Sequence, residues 1–310
     1  MSPTPRIDFG YTPPTGDRGV EKINPATFTK DLQKVLDVAK PYFSSFWVSD
    51  HLMTHSGFRM ECWTQLTWLA ARYPDQIFSN TVMANSYRPP ALLGKMAATL
   101  QEFSGGRFVL GYGAGWAEEE YKAYGYEFPS ARVRIAQMVE GIEVMRALWT
   151  GGPVFYEGKY YQLHDAVCEP KPEPMIPILI GGDGERFLLR AVAEHGDWWL
   201  PFSRTDELLK GKIAVLKDHC TAVGRDYNTI RKTYQMRVTL AKTRAEAEKL
   251  VDGNVPGPQD PAYVGDPAGL RDRILQLNEL GFDLFQFVFP RFTDTTDIEL
   301  FGQEVLPAFR

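Results

Sequence analysis

Asp50 and His51 close the apolar run Ser45 to Val48, so an imidazole with a carboxylate at its side stands where a strand would end. A histidine so placed can move a proton near neutral pH; the competing reading is a histidine that is merely solvated. His55 lies four residues further on, but the run from His51 to His55 lacks the glutamate and helical setting of a zinc-protease motif, and no metal is expected. A second constellation is PILIGGDGERFLLRAVAEHGDWW, which reads as strand, glycine turn and amphipathic helix. Beyond Gly181, that arrangement would aim the N–H groups of Gly182, Asp183 and Gly184 at an anion such as a phosphate. The Asp183 carboxylate would repel the anion unless it points away, and Arg186 and Arg190 could offset it. A plain tight turn is the alternative.

The third constellation runs from Tyr87 to Trp116. Pro89 and Pro90 suit a helix entrance, Leu92, Met96 and Leu100 recur at helical spacing, and Ser104-Gly105-Gly106 stops the helix before the buried strand Phe108–Leu110. Gly111, Gly113 and Gly115 would then let backbone approach a ligand closely. In GYGAGW, Trp116 stands where the third glycine of a dinucleotide fingerprint belongs, and no strand-end acid follows, so a Rossmann domain is not expected. A P-loop and a Gly-x-Ser-x-Gly elbow are both missing from the sequence, which removes the simplest arguments for an NTPase or a serine hydrolase. Tyr87, Trp116, Trp198, Trp199 and Phe202 could wall a flat cofactor or an apolar substrate, with ordinary packing as the alternative for each. Glu118, Glu119 and Glu120 form an acidic first turn that a favourable helix dipole explains without catalysis.

What must position these groups is an alternation of short apolar strands with longer amphipathic segments. Strands are predicted at Arg6–Tyr11, Ser45–Val48, Ile77–Met83, Phe108–Tyr112, Ile178–Ile180, Trp198–Leu200, Tyr234–Leu240 and Leu284–Phe289. About eight parallel strands close an α/β barrel of the (β/α)8 type, whose active site lies on the rim past the strand carboxyl ends. That rim would gather Tyr11, Asp50, His51, Ala84 to Tyr87, Gly113 to Trp116, Gly181 to Arg186, Phe202, Ser203 and Arg291. Helices are predicted at Pro25–Ala39, Cys62–Arg72, Pro90–Phe103, Arg132–Leu148, Glu185–Glu194, Asp206–Val223 and Gly269–Leu280. Insertions at that face are read in a hairpin, Phe155 to Tyr161 with Glu157-Gly158 at its centre, followed by the proline-rich stretch Val167–Pro177. Asp252 to Pro267, rich in Pro and Gly, is read as a rim loop.

The 310 residues, 44% hydrophobic and 24% charged, suit one large domain spanning 1–310 with a sizeable core. A net charge of −5 without a basic run argues against nucleic acid and for small-molecule chemistry. No signal segment or membrane span is read, so a cytoplasmic location is expected. Cys62, Cys168 and Cys220 are widely spaced, without a CxxC pair, and are expected as buried thiols.

Over most of its length the chain resembles the bacterial luciferase-like monooxygenase superfamily, and within it the branch of oxidoreductases that use the deazaflavin coenzyme F420. The markers are VSDHL at 48–52, YRPPALLGKMAATLQEFSGGRFVLGYGAGWAEEEYKAYG at 87–125, EGIEVMRALW and YEGKYY between 134 and 161, PKPEPMIPILIGG at 170–182, and GDPAGLRDRILQLNELGFD at 265–283. The resemblance implies a cofactor ring in the pocket at the carboxyl ends of the strands, with its phosphate tail near Gly181, Gly182, Asp183 and Gly184. It implies that Asp50 and His51 lie beside the ring, with His51 handling the proton. A non-proline cis peptide at Thr81–Val82 would support the ring's face next to Ala84, and Trp116, Tyr87 and Phe202 would border the substrate. Sugar-phosphate dehydrogenases of this group carry a glutamate where Trp116 stands, so glucose-6-phosphate oxidation by the same residues is not expected. FMN is the alternative cofactor, in a monooxygenase supplied with reduced flavin by a partner reductase; a non-catalytic flavin- or deazaflavin-binding protein is a further alternative. A homodimer through the second and third helices is also implied.

Overall fold

In this computed structural model, which describes residues 6–17, 23–53, 57–202, 205–251 and 262–310, strands and helices alternate along the chain. The first part runs β1 (Asp8–Tyr11), α1 (Phe28–Ala39), β2 (Ser45–Val48), α2 (Cys62–Arg72), β3 (Ile77–Asn80), β4 (Met83–Ala84) and α3 (Pro90–Ser104). It continues through β5 (Phe108–Gly113), α4 (Glu118–Ala123), α5 (Ala131–Thr150), β6 (Val154–Glu157), β7 (Gln162–Ala166), β8 (Ile178–Gly181), α6 (Leu188–His195) and β9 (Trp198–Leu200). The last part is α7 (Asp206–Ala222), β10 (Arg231–Leu240), α8 (Arg244–Leu250), β11 (Ala262–Gly265), α9 (Pro267–Glu279) and β12 (Leu284–Val288), followed by short helical turns. Eight of these strands, β1, β2, β3, β5, β8, β9, β10 and β12, pair in parallel in that order, and β12 returns to β1 in the register Asp8 with Leu284. The ring is therefore closed, a (β/α)8 barrel, and each predicted strand is one of its staves.

The local causes are those of the sequence. Pro90 opens α3 and Gly105, at φ 62°, ends it in the left-handed conformation. The Glu61 side chain accepts from Trp63 and Thr64 N–H to start α2, and Thr243 with Glu246 forms a capping box on α8. Alternation along each strand sends one set of side chains out under the helices, among them Phe9, Phe46, Leu110, Ile180 and Phe285, and the other set into the barrel. The inward set includes Trp47, Val109, Leu179, Leu200 and Leu284, which plug the lower barrel. Among the described residues, no helix is long and apolar enough to cross a membrane.

Four expectations change. The strand expected over Ile77–Met83 breaks after Asn80 at a cis Thr81–Val82 bond, and β4 resumes against β5. The hairpin is real, but Glu157 and Gln162 are its last paired residues, so the turn is 158–161 and Tyr160 and Tyr161 belong to it. The buried Glu140 carboxylate of α5 sets that turn by accepting from the N–H of Lys159, Tyr160 and Tyr161. Helix α6 begins at Leu188 rather than Glu185, because Leu188 and Leu189 both donate to the Gly184 carbonyl and hold 185–187 as a turn. In the segment read as a rim loop, 252–261 lie outside the described residues, Ala262–Gly265 is β11 beside β10, and Pro267 starts α9 under an Asp266 cap.

Candidate active site

Above the apolar plug, the inward positions turn small or polar, and the barrel becomes hollow. Gln286 on β12 donates to Thr233 on the neighbouring β10, and the lining toward the carboxyl ends contains Thr12, Ser49, Thr81, Gln235 and Val288 together with Gly113 and Gly181. These line a cavity of about 750 Å³ open at the mouth of the barrel. A predominantly apolar cleft with a few converging polar groups is the usual form of a small-molecule site. Asp50, His51, Thr81, Val82, Ala84, Tyr87, Trp116, Gly181, Gly182, Asp183, Gly184 and Phe202, distant in sequence, all line it. Ser203 and His55 lie outside the described residues.

Val82, just past the cis bond, wedges between the ends of β5 and β8. A Cβ on Gly113 would sit 2.6 Å from Val82 Cγ2, and one on Gly181 2.8 Å from Val82 Cγ1. The two glycines thus make room for Val82, which presents its side chain to the cavity. This modifies the expected role of the glycine exit: Gly111 makes room for Asn80 and Gly115 for Tyr121, so the close approaches there are to protein.

His51 is where sequence and structure diverge most usefully. Its carboxylate partner is Glu120, 69 residues away on α4: Nδ1 lies 2.6 Å from Glu120 Oε1. The other oxygen, Oε2, accepts from the Leu52 N–H at 2.9 Å and from the Tyr87 hydroxyl at 3.1 Å. Burial, reinforced by the Glu120 charge, pushes the Tyr87 phenol far above its ordinary pKa, so it stays a donor. Glu120 is only 5% exposed, unlike its neighbour Glu118, which pairs at the surface with Lys122. The helix-dipole account therefore covers Glu118 and leaves Glu120 to another purpose. Trp116 stands edge-to-face with His51 at 5.6 Å between ring centres and is 74% exposed, forming a shelf at the mouth.

Asp50, the histidine's neighbour in sequence, bonds to other groups. Its two oxygens take a forked contact from Arg88 at 3.0 and 3.1 Å, and Oδ2 also accepts the Ala84 N–H at 3.0 Å. Burial works against the Arg88 charge, but Asp50 outweighs it and the guanidinium pKa is raised. Arg88 also bonds Glu61, the cap of α2, so one guanidinium ties the cavity wall to the helix behind it.

At the glycine turn the Gly182 N–H, expected to face an anion, is already donated to the Leu200 carbonyl. The Asp183 carboxylate does point away, toward the Phe202 N–H at 3.2 Å. Arg190 is drawn off to Glu194, while Arg186 and Arg132 both lie over the Phe187 ring, at 5.0 and 5.4 Å. Of the other aromatics, Trp199 is buried with its indole N–H on the Gly182 carbonyl, and Trp198 packs on Trp47 and under Arg231. Neither lines the cavity. Tyr11 is sealed against Phe43, Phe46 and Phe289, and Arg291 is paired with Asp294 and Asp297, so both leave the site.

The lining residues missed in the sequence include Thr12, Ser49, Gln235 and Val288, with Arg134 beside Gly115. Thr12 and Ser49 come one residue after β1 and β2, so the strand-end rule itself was signal enough. Among the described residues, no group of His, Cys, Asp and Glu gathers that could hold a metal ion.

The luciferase-like monooxygenase family model matches residues 24–256. Two proteins named F420-dependent glucose-6-phosphate dehydrogenase are similar to this chain. That of Microbacterium testaceum is 28% identical over 302 residues, covering 86% of this chain and 89% of that protein. That of Kineococcus radiotolerans is 29% identical over 209 residues, covering 66% of this chain and 61% of its own length, so the chain spans about three fifths of that relative. The solved structure of an F420-dependent secondary alcohol dehydrogenase in complex with an F420-acetone adduct shares the fold, with a TM-score of 0.81 at 21% identity over 98% of this chain and 99% of that one.

Proposed function

This chain belongs to the luciferase-like monooxygenase family, and on that premise we propose that it is an F420-dependent oxidoreductase that passes a hydride between the deazaflavin and an organic substrate. The observation that carries the reading is a histidine on the cavity wall, backed by a buried carboxylate, in a barrel mouth large enough for a flat cofactor. The names of the relatives from Microbacterium and Kineococcus support the choice of deazaflavin.

The residues present fit such a group. Val82, Ala84 and Val288 offer apolar surface to a ring, Thr12, Ser49, Thr81 and Gln235 offer hydrogen bonds to its polar edge, and the turn Gly181, Gly182, Asp183, Gly184 accommodates a phosphate-bearing tail. Bound there, the deazaflavin supplies hydride chemistry. His51 exchanges the accompanying proton with the substrate, while Asp50 serves the site by fixing Ala84 and Arg88. Trp116, Phe202 and the ring of Tyr87 border the substrate and exclude water from it. The whole chain, 1–310, is read as one such domain.

Two companion statements belong to the same reading. The protein works as a homodimer through α2 and α3, where Trp63, Met96, Leu100 and the 83% exposed Phe103 form an apolar groove. It works in the cytoplasm, which suits three buried free thiols.

Titrating the protein with F420, FMN and reduced FMN tests the proposal: F420 should bind tightest and its reduced form should be consumed by an organic acceptor. The family's own description favours a second reading, a monooxygenase using reduced FMN from a partner reductase, and tight binding of FMN alone would establish that reading instead. Bound cofactor that exchanges no hydride across a varied acceptor panel would leave a binding protein.

A further inference from the structure

We infer that Glu120 is a positioning residue that locks His51 in one tautomer, so that Nε2 is the single atom through which a proton enters or leaves the cavity; this rests on His51 having the role proposed above. Glu120 is buried, and among its contacts the Leu52 N–H and the Tyr87 hydroxyl are both donors to Oε2. Two fixed donors and burial among aromatic rings orient the carboxylate before any ligand arrives, and Oε1 is left for His51 Nδ1 at 2.6 Å. A carboxylate accepts and does not donate, so the imidazole must keep its hydrogen on Nδ1. Nε2 is then the nitrogen with a lone pair to offer.

The charged and polar groups around the imidazole come from several elements. Glu120 on α4 and Trp116 at the β5 exit touch the ring itself, Tyr87, from the turn after β4, acts on it through Glu120, and Asp50, at the end of β2, is committed to Arg88. Arg59, from the chain before α2, acts on Glu120 through space and has its own hydrogen bond to Thr15. Asp50 and Glu120 thus divide the work of two acids in one wall: one fixes backbone and Arg88, the other fixes the imidazole.

The proton balance follows. If the substrate is an alcohol, its C–H electron pair would leave as hydride to the oxidised cofactor, its O–H bond would break, and that proton would join Nε2. The imidazolium so formed is offset by Glu120 at Nδ1. In reduction the same proton returns to the new alkoxide oxygen.

Nitrogen-15 NMR of the full-length protein labelled at histidine tests this without any cofactor. The chain has five histidines, and His51→Gln identifies the signal. Above the imidazole titration, Nε2 of His51 should carry the unprotonated, pyridine-type resonance and Nδ1 the protonated one. In Glu120→Leu the two should mix. Turnover should fall on the order of a hundredfold, the scale of general acid–base help, with cofactor dissociation constant unchanged. In Glu120→Gln the Leu52 and Tyr87 donors claim the amide oxygen and the NH2 faces Nδ1, so the tautomer should invert to Nε2–H and the rate should not recover. A pyridine-type Nδ1 in the unmodified protein overturns the inference, including when Glu120→Leu fails to fold, as does a folded Glu120→Leu with one Nδ1–H tautomer. Failure of F420 to bind would instead count against the proposed cofactor and leave the tautomer measurement standing.

Discussion

Replacing Asp50 with alanine strips three contacts from one buried point: both arms of the Arg88 fork and the acceptor for Ala84 N–H. The Asp50 side chain is fully enclosed and that of Arg88 is 11% exposed, so the guanidinium would be left in a poor solvent with Glu61 as its remaining acid. Breaking a buried ion pair from one side costs about 3–5 kcal/mol, and the exposed Glu61 pulls the expectation to the lower end, about 3. At about 2 °C per kcal/mol for a chain of this size, thermal denaturation should begin about 6 °C earlier. Removing both charges in Asp50→Leu/Arg88→Met should be milder than Asp50→Ala, because no orphan charge remains. Melting curves and cofactor titrations of the single and double variants, made side by side, check this. If Asp50→Asn keeps its melting temperature and cofactor affinity falls more than about tenfold, roughly 1.4 kcal/mol, Asp50 meets the ligand directly and the wall-fixing argument is wrong.

His51→Ala should leave cofactor affinity in place and slow turnover on the order of a hundredfold, measured under saturating cofactor. Trp116→Ala, at an exposed shelf, should change stability by less than about 0.5 kcal/mol while raising the Michaelis constant for bulky apolar substrates. Gly182→Ala should weaken cofactor binding and lower the melting temperature, since φ there is 121° and the new methyl would run into Leu188. His195 gives a pH test. Burial, with Arg146 and Arg225 nearby, outweighs Glu143 and Glu194 and holds its folded pKa below the ordinary 6.5. The unfolded chain then takes up that proton first, so the contribution of His195 is full above about pH 6.5 and is lost as pH falls through its lower folded value. Urea titrations at pH 7.5 and 5.5 should show a smaller difference for His195→Gln than for the unmodified protein.

The ring of strands was legible because each stave is short, apolar and bounded by turn residues, and because parallel strands covered on both sides leave continuous hydrophobic runs. The mouth followed from topology alone, which is why residues as distant as His51 and Phe202 could be assigned to one cavity. Pairings across that mouth were not legible. Asp50 neighbours His51 in sequence, but consecutive residues at a strand end point in opposite directions, and the acid that reaches the imidazole comes from α4. Nothing in EEEY distinguishes the buried third glutamate from the exposed first. Likewise, Gly182 looked like an anion donor because the turn motif does not reveal that β9 claims its N–H. Strand β11 was missed because Pro and Gly crowd the chain before it, whereas helix α8 lies in a run free of both and opens on a Thr243–Glu246 capping box that the sequence displays.

The wedge of Val82 between Gly113 and Gly181 makes three positions into one unit of inheritance. A methyl added at either glycine has no space while valine stays, so such a change becomes viable only after residue 82 shrinks. Diversification of this cavity should therefore proceed by paired exchanges along that trio, and Gly181→Ala should be far better tolerated in a Val82→Ala background than alone. A lineage seeking a different ligand would find the loosely packed Trp116 easier to change first.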